Sequence, residues 1–334
     1  MTEATAPVAA ADERTTLRQH LMRALSLIGL VLMALGFAAV EPKILSPDNL
    51  VNILSQSSYL AIFATAQMVV ILTRGFDLSL GMCVSSVSVL TALIMTGMVA
   101  ASPDSLYLGI ALAIPAGLAF GAAVGLVNGF SVSILRVNPF IATLGTLNIC
   151  YGIATTISDG RPVFGVPREF SELVYSGTVA GVPIPIVLSA IILIVIHLVL
   201  NHTVIGRSFY ILGSNPRAAT VAGLPSRRYH IYAYVICSVL AAIGAMLLTA
   251  RTGSGEPNLG GNLTLESIAA AVIGGVSLRG GIGGVPAALL GTIFVTVLSN
   301  GMNLTRVDGY IQMIVLGCVI IAAIFVDRLR TTRG

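Results

Sequence analysis

Few side chains in this 334-residue chain can do covalent or ionic chemistry. Two carboxylates, Asp77 and Glu266, stand at the starts of apolar segments. A carboxylate so placed can titrate and serve ion coupling or gating inside a membrane. It can equally be a helix-end group stabilised by the helix dipole. Residue type alone leaves both readings open. The only lysine is Lys43, so a phosphate-cradling GxxxxGK[ST] loop is excluded. His20, His197, His202 and His230 show no HExxH or other ligand spacing, and no Ser-His-Asp arrangement can be argued. Cys83, Cys150, Cys237 and Cys318 are spread through apolar runs, a pattern of neither a disulfide framework nor a metal site. They read as small buried hydrophobes. No catalytic residue, metal or cofactor is expected in this chain.

What remains is a set of amides and hydroxyls inside apolar segments: Gln67, Asn128, Thr143, Thr146, Asn148, Asn300, Asn303 and Gln312. They could hydrogen-bond a small polar solute along an apolar path, or tie one helix to another. The segments holding them are unusually apolar. The chain is 56% hydrophobic and 10% charged, with mean hydropathy +0.94, whereas soluble domains carry about a quarter charged residues. Runs near 20 residues recur, each long enough to cross a hydrocarbon core of about 30 Å as a helix. Backbone groups in lipid must bond internally, which helices achieve. The fold class expected is an all-α polytopic membrane protein with about ten transmembrane helices. They fall near 22–40, 51–73, 79–99, 106–127, 139–157, 184–200, 230–249, 264–278, 285–300 and 310–326. The eighth and ninth are short and glycine-rich, and read as tilted or broken. The paired glycines at 274–275, 280–281 and 283–284 suit close helix contact better than phosphate binding, since no basic cradle accompanies them.

With the N-terminus inside, 13 of the 18 Lys and Arg fall on the cytoplasmic side. Lys43, Arg161, Arg168, Arg251 and Arg306 fall outside. The positive-inside rule therefore puts both termini in the cytoplasm. The first apolar run, with Arg23 before it and Ala38-Ala39 near its end, has the alternative reading of a cleaved leader, which would upset that even count. The expected division is a cytoplasmic tail at 1–20 and a single transmembrane domain at 21–330.

The chain also echoes itself. LVNGFSVSILRVNPFI from Leu126 and LSNGMNLTRVDGYI from Leu298 share Leu-x-Asn-Gly, then Arg-Val-Asn/Asp-x-aromatic-Ile. The first copy ends inside at Arg136, the second outside at Arg306. A weaker echo pairs Asp77 with Glu266. This is the mark of an inverted repeat, with spans 2–5 and 7–10 as its halves. Asn128 and Asn300 occupy matching places, and so lead the solute-path candidates.

One polar island, GSNPRAATVAGLP at 213–225, lies between two apolar runs within a connection at about 202–229. Asn215 is a favoured N-cap, and Pro216 fits the first helical position. Gly223 fits the left-handed C′ position, and Pro225 blocks continuation. So short a helix is marginal in isolation and needs something packed against it. It is either a loop helix resting on the bundle or a docking helix for a soluble partner.

The pattern Gly213-x-Asn215-x-x-Ala218-Ala219-x-x-Ala222-Gly223-Leu224, with Arg217 inside it, resembles the coupling loop of sugar-type ABC importer permeases, the ribose/xylose/galactose/autoinducer-2 group. Further matches are TRGFDLSLG at 73–81, NPFIATLGTL at 138–147, AAAVIGGVSLRGG at 269–281 and SNGMNL at 299–304. The resemblance runs from about Leu50 to Asp327. Two departures are Arg74, where such permeases often carry Gly, and Arg279, where a small residue is common. The resemblance implies a permease subunit in a bacterial inner (plasma) membrane, paired with a second copy or a paralogue and bathed in membrane lipid. A periplasmic solute-binding protein would deliver a sugar or similar solute. A cytoplasmic ABC ATPase, holding ATP and Mg, would grip the 213–224 segment. No nucleic-acid partner is implied. The alternative is an ion-coupled secondary carrier for a small polar solute, which requires Asp77 or Glu266 to titrate. A passive channel or an interaction scaffold is the third reading.

Overall fold

The computed structural model describes residues 27–332; the expected tail at 1–20 lies outside them. The helices are α1 (Leu27–Val40), α2 (Pro47–Leu72), α3 (Leu80–Ala101), α4 (Leu106–Ser133), α5 (Pro139–Ile157), α6 (Arg168–Ser171), α7 (Ile184–His202), α8 (Val204–Ser214), α9 (Pro216–Val221), α10 (Ser226–Thr252), α11 (Leu263–Ile273), α12 (Val285–Leu304) and α13 (Gly309–Thr332). Four two-residue strands trim the connections. One of them, β1 (Val163–Phe164), pairs antiparallel with β4 (Ser254–Gly255).

Among the described residues seven helices are long and apolar enough to cross a membrane: α2, α3, α4, α5, α7, α10 and α12. Of the shorter apolar helices, α11 is bounded by described residues at both ends, α1 begins at the first described residue, and Gly309–Phe325 is part of the 24-residue α13. The expected eighth span, 264–278, is an 11-residue helix followed by a glycine turn. Such a helix rises only about 16 Å. Helix starts follow a repeated local rule. Ser46, Asn138 and Asn215 each cap a helix whose first residue is proline, and each side chain accepts from a first-turn backbone N–H.

The core is a crossing of α2 and α10. From Leu60 to Leu72 every α2 residue is buried. Phe63 fills the space left by Gly244 of α10, where a Cβ would lie 2.2 Å from the ring. Beyond this crossing the packing is exchanged: α2 packs on α11 and α12, whereas α10 packs on α3 and α4. Glycine makes these contacts close. A Cβ at Gly125 of α4 would stand 2.6 Å from the Tyr234 carbonyl oxygen of α10. A Cβ at Gly291 of α12 would stand 1.7 Å from that of Ala270. The expected reading of the Gly-rich segments as close contacts and breaks agrees with this geometry.

Non-helical backbone inside the bundle has to find partners within the protein. Residues 254–262 do so through hydroxyls of α3. Ser85 Oγ accepts from Gly260 N (2.9 Å), and Ser88 Oγ accepts from Glu256 N (3.3 Å) and from Thr249 Oγ1 (2.7 Å). Thr264 Oγ1 returns the pattern by accepting from Gly81 N (2.9 Å). The serines that make α3 look too polar for a lipid span are thus satisfying a broken neighbour.

Candidate functional site

The polar island forms the capped helix its residues predict. Asn215 Oδ1 accepts from Ala218 N (3.0 Å). At the other end Gly223 is left-handed, with φ 73°. Leu224 N bonds the Ala219 carbonyl (3.0 Å) and Gly223 N that of Thr220 (3.1 Å), the two bonds of a Schellman stop. Arg217, Ala218, Ala222 and Gly223 are exposed, as is Asn215, while Leu224 is half-buried. Ala219 is buried against the bundle. Gly213 is buried too, with no room for a Cβ: one would lie 1.8 Å from the Leu72 carbonyl oxygen. The most exposed apolar side chain described is Val221, at 89%. Its signal in the sequence was the one large apolar side chain on a short capped helix.

The knob is tied to the core. Arg74 occupies the C′ position at the end of α2, with φ 64°, where Gly is normally preferred. Its backbone closes the same Schellman pattern, Gly75 N on the Val70 carbonyl (3.1 Å) and Arg74 N on that of Ile71 (2.9 Å). A non-glycine residue in this region costs about 1–2 kcal/mol. The side chain supplies an offset. Arg74 Nε donates to the Gly213 carbonyl (2.5 Å) and Nη2 to that of Ser214 (2.9 Å), placing a cation on the last carbonyls of α8 as the helix dipole favours. On the other flank Gly281 N donates to the Leu72 carbonyl (2.9 Å), and Tyr210 OH of α8 donates to that of Gly283 (3.1 Å). Burial pushes the Tyr210 phenol above its ordinary value, which keeps it a neutral donor. Arg279 is exposed beside this glycine turn. Replacing Arg74 with Gly should keep the α2 turn and release the knob. Amide exchange over 214–224 is expected to quicken about tenfold, the value of roughly one charge-assisted hydrogen bond; unchanged exchange would show that the clamp is idle.

A second polar centre lies at the α2–α3 junction. Asp77 is fully buried. Its Oδ1 accepts from Ser79 N (2.9 Å), Ser79 Oγ (2.6 Å) and, more weakly, Asn128 Nδ2 (3.4 Å). Asn128 Nδ2 also donates to Ser79 Oγ (2.8 Å). With its amide turned to suit its neighbours, Gln67 brackets the Asp77 backbone, donating to the carbonyl (3.1 Å) and accepting from the N–H (3.2 Å). Asp77 Oδ2 and Asn128 Oδ1 have no protein partner here. Glu266 lies in the first turn of α11, where it lines a cavity of about 290 Å³ with Asn262, Ser299 and Gln312.

The solute-path candidates do not converge within one chain. Asn300 pairs with Asn49 of α2 through two amide bonds (2.9 and 3.1 Å). Gln312 donates to Asn303 Oδ1 (2.8 Å). Thr143 and Thr146 are buried and bond back to their own helix. Asn148 is exposed on α5. Asn128 belongs to the Asp77 centre. Cys83, Cys150 and Cys237 are buried and free, while Cys318 is exposed on α13. Among the described residues no cluster of His, Cys, Asp or Glu could hold a metal.

A bundle of apolar helices that presents a clamped, capped knob has the form of a translocation subunit. Residues 49–324 match the family model described as branched-chain amino acid transport system / permease component, and the chain belongs to that family. It is 37% identical over 310 residues to the ribose import permease protein of Escherichia coli K12, covering 92% of this chain and 94% of that one. It is 35% identical over 311 residues to the ribose import permease protein of Haemophilus influenzae, covering 92% and 94%. The D-allose transport system permease protein of Escherichia coli K12 is 32% identical over 294 residues, covering 88% and 87%. No solved structure matches. The chain is a multi-pass permease subunit of an ABC importer.

Proposed function

We propose that this permease carries a sugar or a similar small polar solute across a bacterial inner membrane, driven through α9 by a separate ATPase that holds ATP and Mg. A periplasmic binding protein delivers the solute, and the chain works as a pair with both termini in the cytoplasm. The observation that carries the reading is the knob itself: an exposed helix whose base is fixed to the end of α2 and to the 277–284 turn. A push on α9 is thereby passed to the crossing at the core. The sugar class comes from the ribose and allose relatives.

About ten spans in two inverted halves suit the same reading. The α2–α10 exchange is what a two-fold relation between spans 2–5 and 7–10 produces. Arg136 and Arg306 share a left-handed φ of 59° and 58°. Asn138 and Asp308 each accept from the N–H two residues on (2.9 and 2.8 Å). Gly81 and Gly260 touch each other where the halves meet. In that register Asp77 corresponds to Glu256 rather than to Glu266.

The test is reconstitution in liposomes with the ATPase and binding protein from the same transport system. Ribose should accumulate only with ATP inside. Accumulation by the permease alone, driven by an ion gradient, would sink the proposal. Asp77→Asn retains an acceptor for Ser79, so transport is expected within about threefold of wild type. Asp77→Ala strips three donors of their acceptor and should lower stability by about 3 kcal/mol in a thermal melt.

A further inference from the structure

We propose that the seam between α4 and α10 binds an anionic phospholipid, headgroup at the chain ends of the two helices and acyl chain along their shared groove. Two cavities adjoin there. The first, about 240 Å³, is lined by Val132, Ser133, Arg136, Ser226, Arg227 and His230. The second, about 350 Å³, is lined by Leu126, Val127, Phe130, Ser131 and Ile231. Ser131 and Phe130 of one wall lead directly into Val132 and Ser133 of the other, and Ile231 follows His230. A basic chamber therefore opens onto an apolar one along the same pair of membrane helices.

The basic chamber suits a phosphate. Among the described residues no carboxylate forms an ion pair with Arg136 or Arg227. Both arginines are exposed. Arg136 is held in the left-handed region at φ 59°. His230 closes the chamber wall, its Nδ1–H donating to the Ser226 carbonyl (2.9 Å). No side chain caps α10, which begins at Ser226, so the positive end of that helix dipole adds to the same field.

The apolar chamber is uncovered for a reason visible elsewhere in the molecule. The matching Leu-x-Asn-Gly segment of α12 is covered by the chain's own α1, with Phe37 seated on Gly301 and Leu30 and Met33 packed against the cluster of Ile44, Ile53 and Val297. Among the described residues no helix plays that part for α4. Leu126, Val127 and Phe130 remain 53%, 50% and 50% exposed. In a bilayer the occupant of such a face is an acyl chain, and the adjoining unpaired arginines select an acidic headgroup over a zwitterionic one.

The test uses native mass spectrometry of the purified full chain in detergent, titrated separately with phosphatidylglycerol, phosphatidylcholine and glycerol phosphate. Phosphatidylglycerol should bind at least tenfold more tightly than either of the others. Arg136→Gln with Arg227→Gln should weaken it about thirtyfold, the combined effect of two surface arginines. Leu126→Trp, which fills the groove, should weaken it while leaving the arginines in place. Both sites are exposed, so the melting temperature should not move. Equal binding of the two phospholipids, or glycerol phosphate binding as well as phosphatidylglycerol, would overturn the proposal. So would arginine variants that keep the lipid and lose the ATPase instead, because the surface would then belong to that partner.

Discussion

Val221→Asp combined with Ala222→Glu is expected to abolish solute uptake while leaving the permease folded. Both positions are exposed on α9, and Val221 is so exposed that no intramolecular contact depends on it. Surface changes of this kind usually alter stability by less than about 0.5 kcal/mol. An apolar tip presented to a partner is a different matter. Two carboxylates in the centre of a docking pocket should cost at least about 2 kcal/mol of association, or roughly thirtyfold in affinity. The measurement is co-purification with the ATPase and permease-stimulated ATP hydrolysis, with a thermal melt alongside. Wild-type coupling in the folded variant would remove α9 from the transmission path. Ala219→Glu is a poorer experiment, because Ala219 is buried and its loss would confuse folding with docking.

The second large effect is expected at the glycine crossing. A Cβ at Gly81 would lie 2.2 Å from the Gly260 carbonyl oxygen, and one at Gly260 would lie 1.7 Å from that of Gly81. The obstacle in each case is backbone, which cannot rotate aside as a side chain does. Gly81→Val or Gly260→Val should therefore cost about 3 kcal/mol or more, seen as a large fall in melting temperature and in the yield of monodisperse protein. Gly97→Ala is the matched control. Nothing lies within 4 Å of a Cβ there, and alanine is the better helix former by about 0.5–1 kcal/mol. That variant should melt no lower than wild type. Equal behaviour of the two classes would mean that the crossing is looser than its geometry indicates.

Local chemistry made much of this legible in advance. Ser46-Pro47, Asn138-Pro139 and Asn215-Pro216 announce helix starts, and Gly223 announces a stop, because caps depend on a few adjacent residues. Long apolar runs announced most spans for the same reason. Direction around a short helix depends on what lies beneath it, so sequence could not separate Ala219 and Gly213, which face inward, from Val221 and Ala222, which face out. Arg74 looked like a stray charge at a glycine position. Its purpose becomes visible only when the α8 carbonyls, 139 and 140 residues away, arrive beside it. The amides were legible as polar but not as a path. Asn300 found Asn49 and Asn128 found Ser79, satisfactions that follow from which helices become neighbours. The serines of α3 were overlooked because their partners are backbone groups of the 254–262 connection, about 170 residues away, which only folding brings beside them.

The exchange of α2 and α10 has a mechanical consequence. Each of these helices packs on the opposite part of the chain, so prying the two parts from one another would expose the buried stretch Leu60–Leu72 of α2. A subunit built like interlaced fingers resists being parted, so in the pair proposed above the opening would lie at the seam between the two copies. A chemical staple joining α2 to α10 should leave uptake intact, whereas a staple between subunits should arrest it.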